Sequence, residues 1–470
     1  MMMKTSYPKY KSSGVEWLGE VPAHWEVRRL KTQVANITEQ TKTLKSDDRY
    51  IALEHVESWT GKILGPCSDQ SFDSHVKRFQ SGDVLVGKLR PYLAKVTRPK
   101  CKGACVSEFL VLRPRLKKLS ASYLERSIRS KPIIEAINAS TFGAKMPRAD
   151  WQFIGRMELP IPPLPEQNAI VRYLDYVERR GRRFVGAKEK LIGLLEEQKQ
   201  VIIHRAVTRG LDPDVPLKPS GIAWLGEVPE HWAVARLKAH LSRNDSGVWG
   251  DDFSDEGTVV LRSTEQTMSG EWVINSPARI NLSASEVAAT LLKKGDLVVT
   301  KSSGSQRHIG KTSLVNDEVE KMHCCFSNFM QRLRLDKSST PAFVWYNLNS
   351  SIGREQLVFQ STTTTGLGNL NGTILGNCWF TFPPLPEQTA IVEYLDKATA
   401  NIDAAIARAR REIDLLNEYR TRLIADVVTG KLDVREAAAR LPDEPDEAEL
   451  PDDDDAPLNS GEKPAKETKH

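Results

Sequence analysis

The sequence predicts an α+β chain of two tandem domains, each followed by a long helix, with the two helices paired. Three observations predict it. The chain is written twice, two segments of about forty residues carry helical periodicity, and the segments before them mix short β-rich runs with turns and helices. A length of 470 residues suits two or three domains of ordinary size, each able to bury a core.

Composition narrows the function classes. Mean hydropathy is −0.40, and no run of eighteen apolar residues exists, which excludes a helical membrane span. The start MMMKTSYPKYKSSG lacks the apolar stretch of a signal peptide. Six Cys in 470 residues are too sparse for a disulfide scaffold, so the expected compartment is the cytoplasm. The net charge of +5 hides an asymmetry: Asp443–His470 holds eleven acids and three bases, a balance of −8, which leaves +13 on residues 1–442. A basic body with a short acidic tail points to a polyanion partner such as nucleic acid.

The duplication sets the domain plan. Ser13–Lys31 (SGVEWLGEVPAHWEVRRLK) and Ser220–Lys238 (SGIAWLGEVPEHWAVARLK) agree at fourteen of nineteen positions, at an offset of 207. Pro162–Asp175 (PPLPEQNAIVRYLD) and Pro383–Asp396 (PPLPEQTAIVEYLD) agree at twelve of fourteen, at an offset of 221. The offset is 213 at Gly82-Asp83 and 220 at Ser107 and Phe109, so all fourteen extra residues of the second copy lie between the shared motifs. From Pro162 to Asp212 the register does not slip, which marks a segment packed along its length. The expected boundaries are a domain at 1–161, a helix segment at 162–212, a second domain at 213–382, a second helix segment at 383–435, and an acidic tail at 436–470 expected to be disordered.

In the first domain, Asp83–Gly87 and Phe109–Leu112 read as strands and Tyr123–Asn138 as helix; in the second, Leu297–Thr300 and Phe329–Leu333 read as strands and Phe343–Phe359 as helix. Residues 166–205 and 387–428 are helical. Ile170, Leu174, Val177, Phe184, Leu191, Leu195 and Ile202 form the apolar seam of the first, weakened by Gly181, Lys188 and Gln198. Ile391, Leu395, Ala398, Ile402, Ala405, Ala409, Leu416, Tyr419 and Leu423 form that of the second, interrupted only by Glu412. Pro165-Glu166 and Pro386-Glu387 suit the first turns, where φ is fixed and an acid meets the positive end of the dipole. At about 1.5 Å per residue each helix is roughly 60 Å long, beyond ordinary globular length, so a helix pair is expected.

No catalytic constellation stands out. Gly304–Thr312 resembles a phosphate-binding loop but has five residues between its glycines where that motif has four. Cys101 and Cys105, and His323 beside Cys324-Cys325, lack the second ligand pair of a zinc site. No nucleophile elbow, dinucleotide fingerprint or base-methylating motif is present. No catalytic residue, metal or cofactor is therefore expected in this chain.

Binding remains. After the first shared strand, Lys88, Arg90, Tyr92 and Lys95 are expected on a turn, and the second copy offers Lys301, Ser302, Ser303, Gln306, Arg307 and Lys311 there. Before each helix motif lies another polar loop, with Lys145 and Arg148 in the first copy and Thr364, Thr365 and Asn369 in the second. Arg and Lys can neutralise phosphates or reach guanine edges, Gln can pair with adenine, and small hydroxyl residues allow close approach to phosphates. Trp17, Trp25, Trp224 and Trp232 belong to the shared flanks rather than to the divergent parts. They are read as core or subunit-contact residues rather than base-stacking platforms.

The duplicated SGxxWLGEVPxHWxVxRLK and PPLPEQxAIVxYLD motifs, with long helices after each, resemble the specificity subunit of type I restriction–modification systems over nearly all of residues 7–435. That resemblance implies two target recognition domains, each reading one half of a bipartite double-stranded DNA site, on a pseudo-two-fold frame. It implies that the helices form an antiparallel coiled coil spacing those domains. It also implies a non-catalytic chain that assembles with two methyltransferase and two motor-nuclease subunits. S-adenosylmethionine, ATP and Mg would belong to those partners, and the methylation would fall on adenine N6. The acidic tail departs from the family pattern.

Overall fold

The computed structural model describes residues 6–45, 48–64, 75–115, 118–143, 146–250, 252–364 and 367–442. The chain divides into two compact units, one formed by residues 1–185 with 413–470, the other by residues 186–412.

The first unit is built on an antiparallel sheet ordered Val34–Ile37, Phe109–Pro114, Val84–Gly87, Val96–Thr97. A second four-stranded sheet, Gln40–Thr41, Val76–Phe79, Gly103–Cys105, Arg49–Ile51, packs its apolar face on the first through Ile51, Phe79, Leu85, Phe109 and Val111. The other face of the first sheet carries helices Ala121–Ile128 and Lys131–Ala139 and meets Trp25 and Ile170 in the main core. Alternation along Val84–Gly87 explains both: Val84 and Val86 enter one core and Leu85 the other.

The second unit repeats the sheet order with Leu241–Ser246, Met330–Leu335, Leu297–Thr300 and Thr312–Leu314. Its second sheet has three strands, Ala278–Ile280, Phe253–Leu261 and Cys325–Phe326. Here the extra length of the second copy becomes visible, because Phe253–Leu261 spans nine residues where Arg49–Ile51 spans three.

All four expected strands are present, but each expected domain helix is two. Tyr123–Asn138 breaks at Ser130, where Pro132 supplies no N–H to continue the ladder. Phe343–Phe359 breaks at Ser350, whose side chain caps the following helix by accepting from Gly353 N at 3.1 Å.

The long helices run Leu164–Arg209 and Leu385–Val428, and antiparallel stretches of the two pair inside each unit. In the first unit Ile170 and Leu174 share a core with Leu423 and Val427. In the second, Ile203 and Val207 share one with Ile391 and Leu395, and Lys199 Nζ reaches Asp403 at 2.7 Å while Lys188 Nζ reaches Glu412 at 2.6 Å. Burial along the seam is uneven: Ile402 and Ala409 are buried in the middle of the second helix as well as the residues near the helix ends. Phe184, Leu191 and Tyr419 stay exposed, while Ile406, off the expected seam, is buried. The expectation of a disordered tail concerns residues beyond Pro442, outside the described residues. No described helix is long and apolar enough to cross a membrane.

The shared motifs meet each other within each unit. Glu166, in the first turn of its helix, is buried and accepts hydrogen bonds from Trp25 Nε1 at 3.0 Å and from the Tyr7 hydroxyl, with His24 Nε2 at 2.8 Å. Gln167 beside it donates to the Pro162 carbonyl at 2.8 Å and accepts from Ser120 N at 2.8 Å, tying the helix start to the domain. Glu387 and Gln388 repeat this: His231 meets Glu387 at 2.8 Å and Thr340 N donates to Gln388 at 2.8 Å.

Trp25 and Trp232 are 0% and 1% exposed, so a direct subunit contact is corrected to a core role for both. Their rings fill the space beside Gly430 and Gly210, which end the long helices at φ of +79° and +77°. Trp17 packs partly buried on the same core as Trp25, and Trp224 alone of the four is substantially exposed.

Candidate nucleic-acid interface

In both units the two polar loops singled out by sequence are hydrogen-bonded to each other at the same end of the main sheet. In the first unit the chain leaves strand Val84–Gly87 through Lys88, whose N–H donates to the Glu108 carbonyl at 2.8 Å and whose carbonyl accepts from Ala149 N at 2.9 Å. Leu89 bridges Arg148, and Arg90 N donates to the Pro147 carbonyl at 2.8 Å. Arg90 is left-handed at φ 49°, a backbone conformation that non-glycine residues rarely adopt. The single turn Pro91–Leu93 follows and leaves the Tyr92 ring exposed.

In the second unit Lys301 N donates to the Phe329 carbonyl at 3.0 Å, and the Lys301 carbonyl accepts from Leu370 N at 2.7 Å. Ser302 and Ser303 pair as a short strand with Asn369 and Gly368, and Ser302 Oγ donates to Asn369 Oδ1 at 2.9 Å. Gln306 and Arg307 are exposed on the turn Gln306–His308. Thr364 lies on a strand paired with Leu367–Asn369. Lys145 and Thr365 lie outside the described residues.

The two surfaces differ in chemistry. Around Lys88, Arg90 and Arg148 the first is cationic, with the Arg148 guanidinium held by Glu108 at 2.7 Å. The second offers mostly neutral donors and acceptors beside one desolvated cation: Lys301 Nζ donates to Ser246 Oγ at 2.5 Å, and burial pushes its ammonium below the ordinary lysine value.

Two expected DNA contacts are corrected. Lys311 is 4% exposed, and its ammonium donates to the carbonyls of Ser263 at 2.8 Å and Gln266 at 3.0 Å. Lys95 does the same in the first unit, donating to the Leu53 carbonyl at 2.6 Å, and burial lowers its pKa. Both fasten the strand after the loop to an equivalent single turn, Leu53–His55 or Ser263–Glu265. Carbonyls behind the loop draw each ammonium inward, away from the surface that the joined loops present, so both lysines serve the frame. The likeness of Gly304–Thr312 to a phosphate-binding loop fails for the same reason.

Sequence reasoning missed the apolar surround of these loops. Phe142, 80% exposed, is bridged to Arg148. Trp249, 75% exposed, lies 6.0 Å from the Phe329 ring, and Phe329 is the residue whose carbonyl holds Lys301. Position 329 was legible only as the start of a strand. Exposed aromatic rings beside polar donors suit contact with bases or sugars.

Comparison with known proteins agrees with the geometry. A family model described as the type I restriction modification DNA specificity domain matches residues 251–413. The MjaVIII specificity subunit of Methanocaldococcus jannaschii is 23% identical over 444 residues, 88% of this chain and 94% of that one. The EcoKI specificity subunit of Escherichia coli is 22% identical over 68% of each chain. The EcoDI specificity subunit of Escherichia coli is 28% identical over 174 residues, which span 35% of this chain but only 38% of that relative. A chain from a structure on complex assembly and conformational transition of the type I R-M system shares the fold, with a TM-score of 0.65 at 19% identity, over 88% of this chain and 99% of that one. The duplicated motifs, the sheet order common to both units and these matches together make the chain similar to the specificity subunits of type I restriction–modification systems.

Proposed function

We propose that each domain reads one half of a bipartite double-stranded DNA site through its pair of joined loops. The chain itself performs no chemistry and directs two methyltransferase and two motor-nuclease subunits to that site, with adenine N6 as the expected methylation target. Residues 1–161 and 213–382 would be the two readers, 162–212 and 383–435 the helices between them, and 436–470 a tail outside the reading apparatus.

One observation carries this reading: both units bring two sequence-separated polar loops together by backbone hydrogen bonds at the same position on the same sheet, with different side chains on them. A surface of fixed backbone and varied side chains suits two unlike half-sites. In the first reader Lys88, Arg90, Tyr92 and Arg148 supply phosphate and guanine contacts. In the second, Lys301, Ser302, Ser303, Gln306, Arg307, Thr364 and Asn369 supply a more neutral set suited to adenine edges and close backbone approach. S-adenosylmethionine, ATP and Mg would enter with the partners.

The test is the methylated motif of a host that carries the assembled system. Arg90→Ala should relax or abolish recognition in one half-site and leave the other unchanged, and Gln306→Ala should act on the opposite half. A lost bidentate base contact costs about 1–3 kcal/mol, roughly 5- to 150-fold in discrimination at one position. If either substitution altered both halves, the two units would not be separate readers.

A further inference from the structure

Beneath the second unit's turn Gln306–His308 lies a cation that no carboxylate balances. Arg354, on helix Ser351–Gln360, donates from Nη2 to the Arg307 carbonyl at 2.8 Å, and that bond lies at the surface. Its Nη1 is buried and has no hydrogen-bond partner among the described residues. Burial pushes its pKa down to about 10, and no carboxylate acts in the other direction. Buried guanidinium groups elsewhere are paired: Arg126 with Asp175 and Glu178 at 2.5 Å, Arg129 with Glu125 at 2.8 Å, and Arg332 with Asp245 at 2.5 Å. A charge taken out of water without a counter-ion is unfavourable, so Arg354 is suited to an anion that arrives from outside.

The duplication shows that the fold does not require this cation. Ser130 and Ser350 match: each hydroxyl donates at 2.7 Å to the carbonyl three residues back, Ser127 or Asn347. Each serine carbonyl then accepts from the N–H four residues on, Ile134 at 3.0 Å and Arg354 at 2.9 Å. Ile134 therefore takes in the first unit the place of Arg354 in the second. It is 3% exposed in the main core, on a helix packed against the turn Pro91–Leu93. An apolar side chain fills that place without burying a charge. We infer that Arg354 is a positioning residue of the second reader, which fixes the turn carrying Gln306 and Arg307 and takes a backbone phosphate of duplex DNA as its counter-ion. The inference rests on the reading of the joined loops as a DNA surface, and extends that surface to a helix outside both loops. It supplies charge where the loops themselves offer mostly neutral groups. A partly desolvated cation acts through a lower effective dielectric than one in open water, so it attracts a phosphate docked on the turn without touching it.

The test is salt-dependent binding of the full chain, assembled with its methyltransferase subunits, to two duplexes, one holding the methylated motif and one of unrelated sequence. Arg354→Ile inserts the side chain that the first copy uses, and Arg354→Gln keeps an N–H donor for the Arg307 carbonyl. Both remove the charge. Arg354→Ile should melt no lower than the unaltered chain, because an unpaired buried charge is gone. Both variants should bind either duplex about 5- to 10-fold more weakly near 0.1 M salt, and flatten the slope of log affinity against log salt by about one. Arg354→Lys keeps the charge and should keep the slope. An unchanged slope in both neutral variants overturns the inference, whether or not melting falls, and so does a slope that Arg354→Lys flattens equally. Failure of the underlying reading looks different. Gln306→Ala would then leave the methylated motif of the host unaltered, whereas a motif altered by Gln306→Ala beside an unchanged Arg354→Ile slope sinks this inference alone.

Discussion

Replacing Lys311 by Met separates a structural cation from a phosphate contact. The side chain keeps most of its length and loses its charge, so the two carbonyls it serves, Ser263 and Gln266, lose a donor in a site only 4% exposed. Hydrogen bonds to a charged donor contribute about 1.5–3 kcal/mol each, partly offset because the methionine has no ammonium to desolvate. A net loss of about 2–3 kcal/mol follows, a drop of roughly 4–12 °C in the melting temperature of a unit of about 230 residues. The assay pairs thermal unfolding with the salt dependence of DNA binding. A phosphate contact would weaken binding to every sequence and flatten the slope of log affinity against log salt by about one. A carbonyl-bound lysine leaves that slope unchanged. Unaltered melting together with a slope reduced by one would refute the structural assignment, and Lys95→Met should behave as Lys311→Met does, through the Leu53 carbonyl.

Asp296, fully buried, grips Arg334 through bonds of 2.6 and 2.7 Å, so Arg334→Met should leave an uncompensated carboxylate and cost about 3–5 kcal/mol in denaturant unfolding. Arg113→Met should match it in the first unit, where Asp83 is held at 2.7 Å by two such bonds. Burial lowers the pKa of His240, opposed by Asp336; the unfolded chain therefore takes up more protons between the folded value and about 6.5, and stability falls as pH drops through that window. His240→Asn should flatten the dependence of unfolding on pH between about 7 and 5.5, and an unchanged slope would show that another group titrates there. Trp249→Ala with Phe329→Ala should leave melting nearly unchanged, since both rings are exposed, yet weaken DNA binding by about 1–3 kcal/mol per base if they stack, as read by fluorescence anisotropy on cognate duplex.

Repeats and period were legible because each is a local pattern. The long helices, the four strands and the two polar loops of each copy follow from spacing within the chain, whereas the bonds that join those loops are tertiary, and the unequal offsets located the length difference that became the strand Phe253–Leu261. The helix breaks at Ser130 and Ser350 were missed although Pro132 and Gly353 sit at the right places, because apolar spacing continued across them. Lys95 and Lys311 were misread for a different reason. A lysine after a loop looks like a surface cation, and only the tertiary approach of a single turn more than forty residues earlier gives its ammonium two carbonyls or one. Trp249 and Phe329 were unreadable as a pair, since eighty residues separate them in sequence and a ring contact joins them in space.

What the two copies share and where they part follow one physical division. The repeated side chains are those that hold the frame: Glu166 and Glu387 under the histidines, Gln167 and Gln388 at the helix starts, Asp83–Arg113 and Asp296–Arg334 across the sheet, Lys95 and Lys311 behind the loops. Each is buried or partly buried and serves a polar group that would otherwise be left unsatisfied, so a change there costs stability. The loop backbone is held by main-chain hydrogen bonds at Lys88, Arg90, Lys301 and Ser302, which depend little on the side chains attached. Gln306, exposed on its turn, can therefore be exchanged with little loss of folding, because exposed substitutions away from such features change stability by only about 0.5 kcal/mol. On the proposed function, a loop whose backbone is fixed from behind could change the exposed side chains it presents without weakening the domain that holds it.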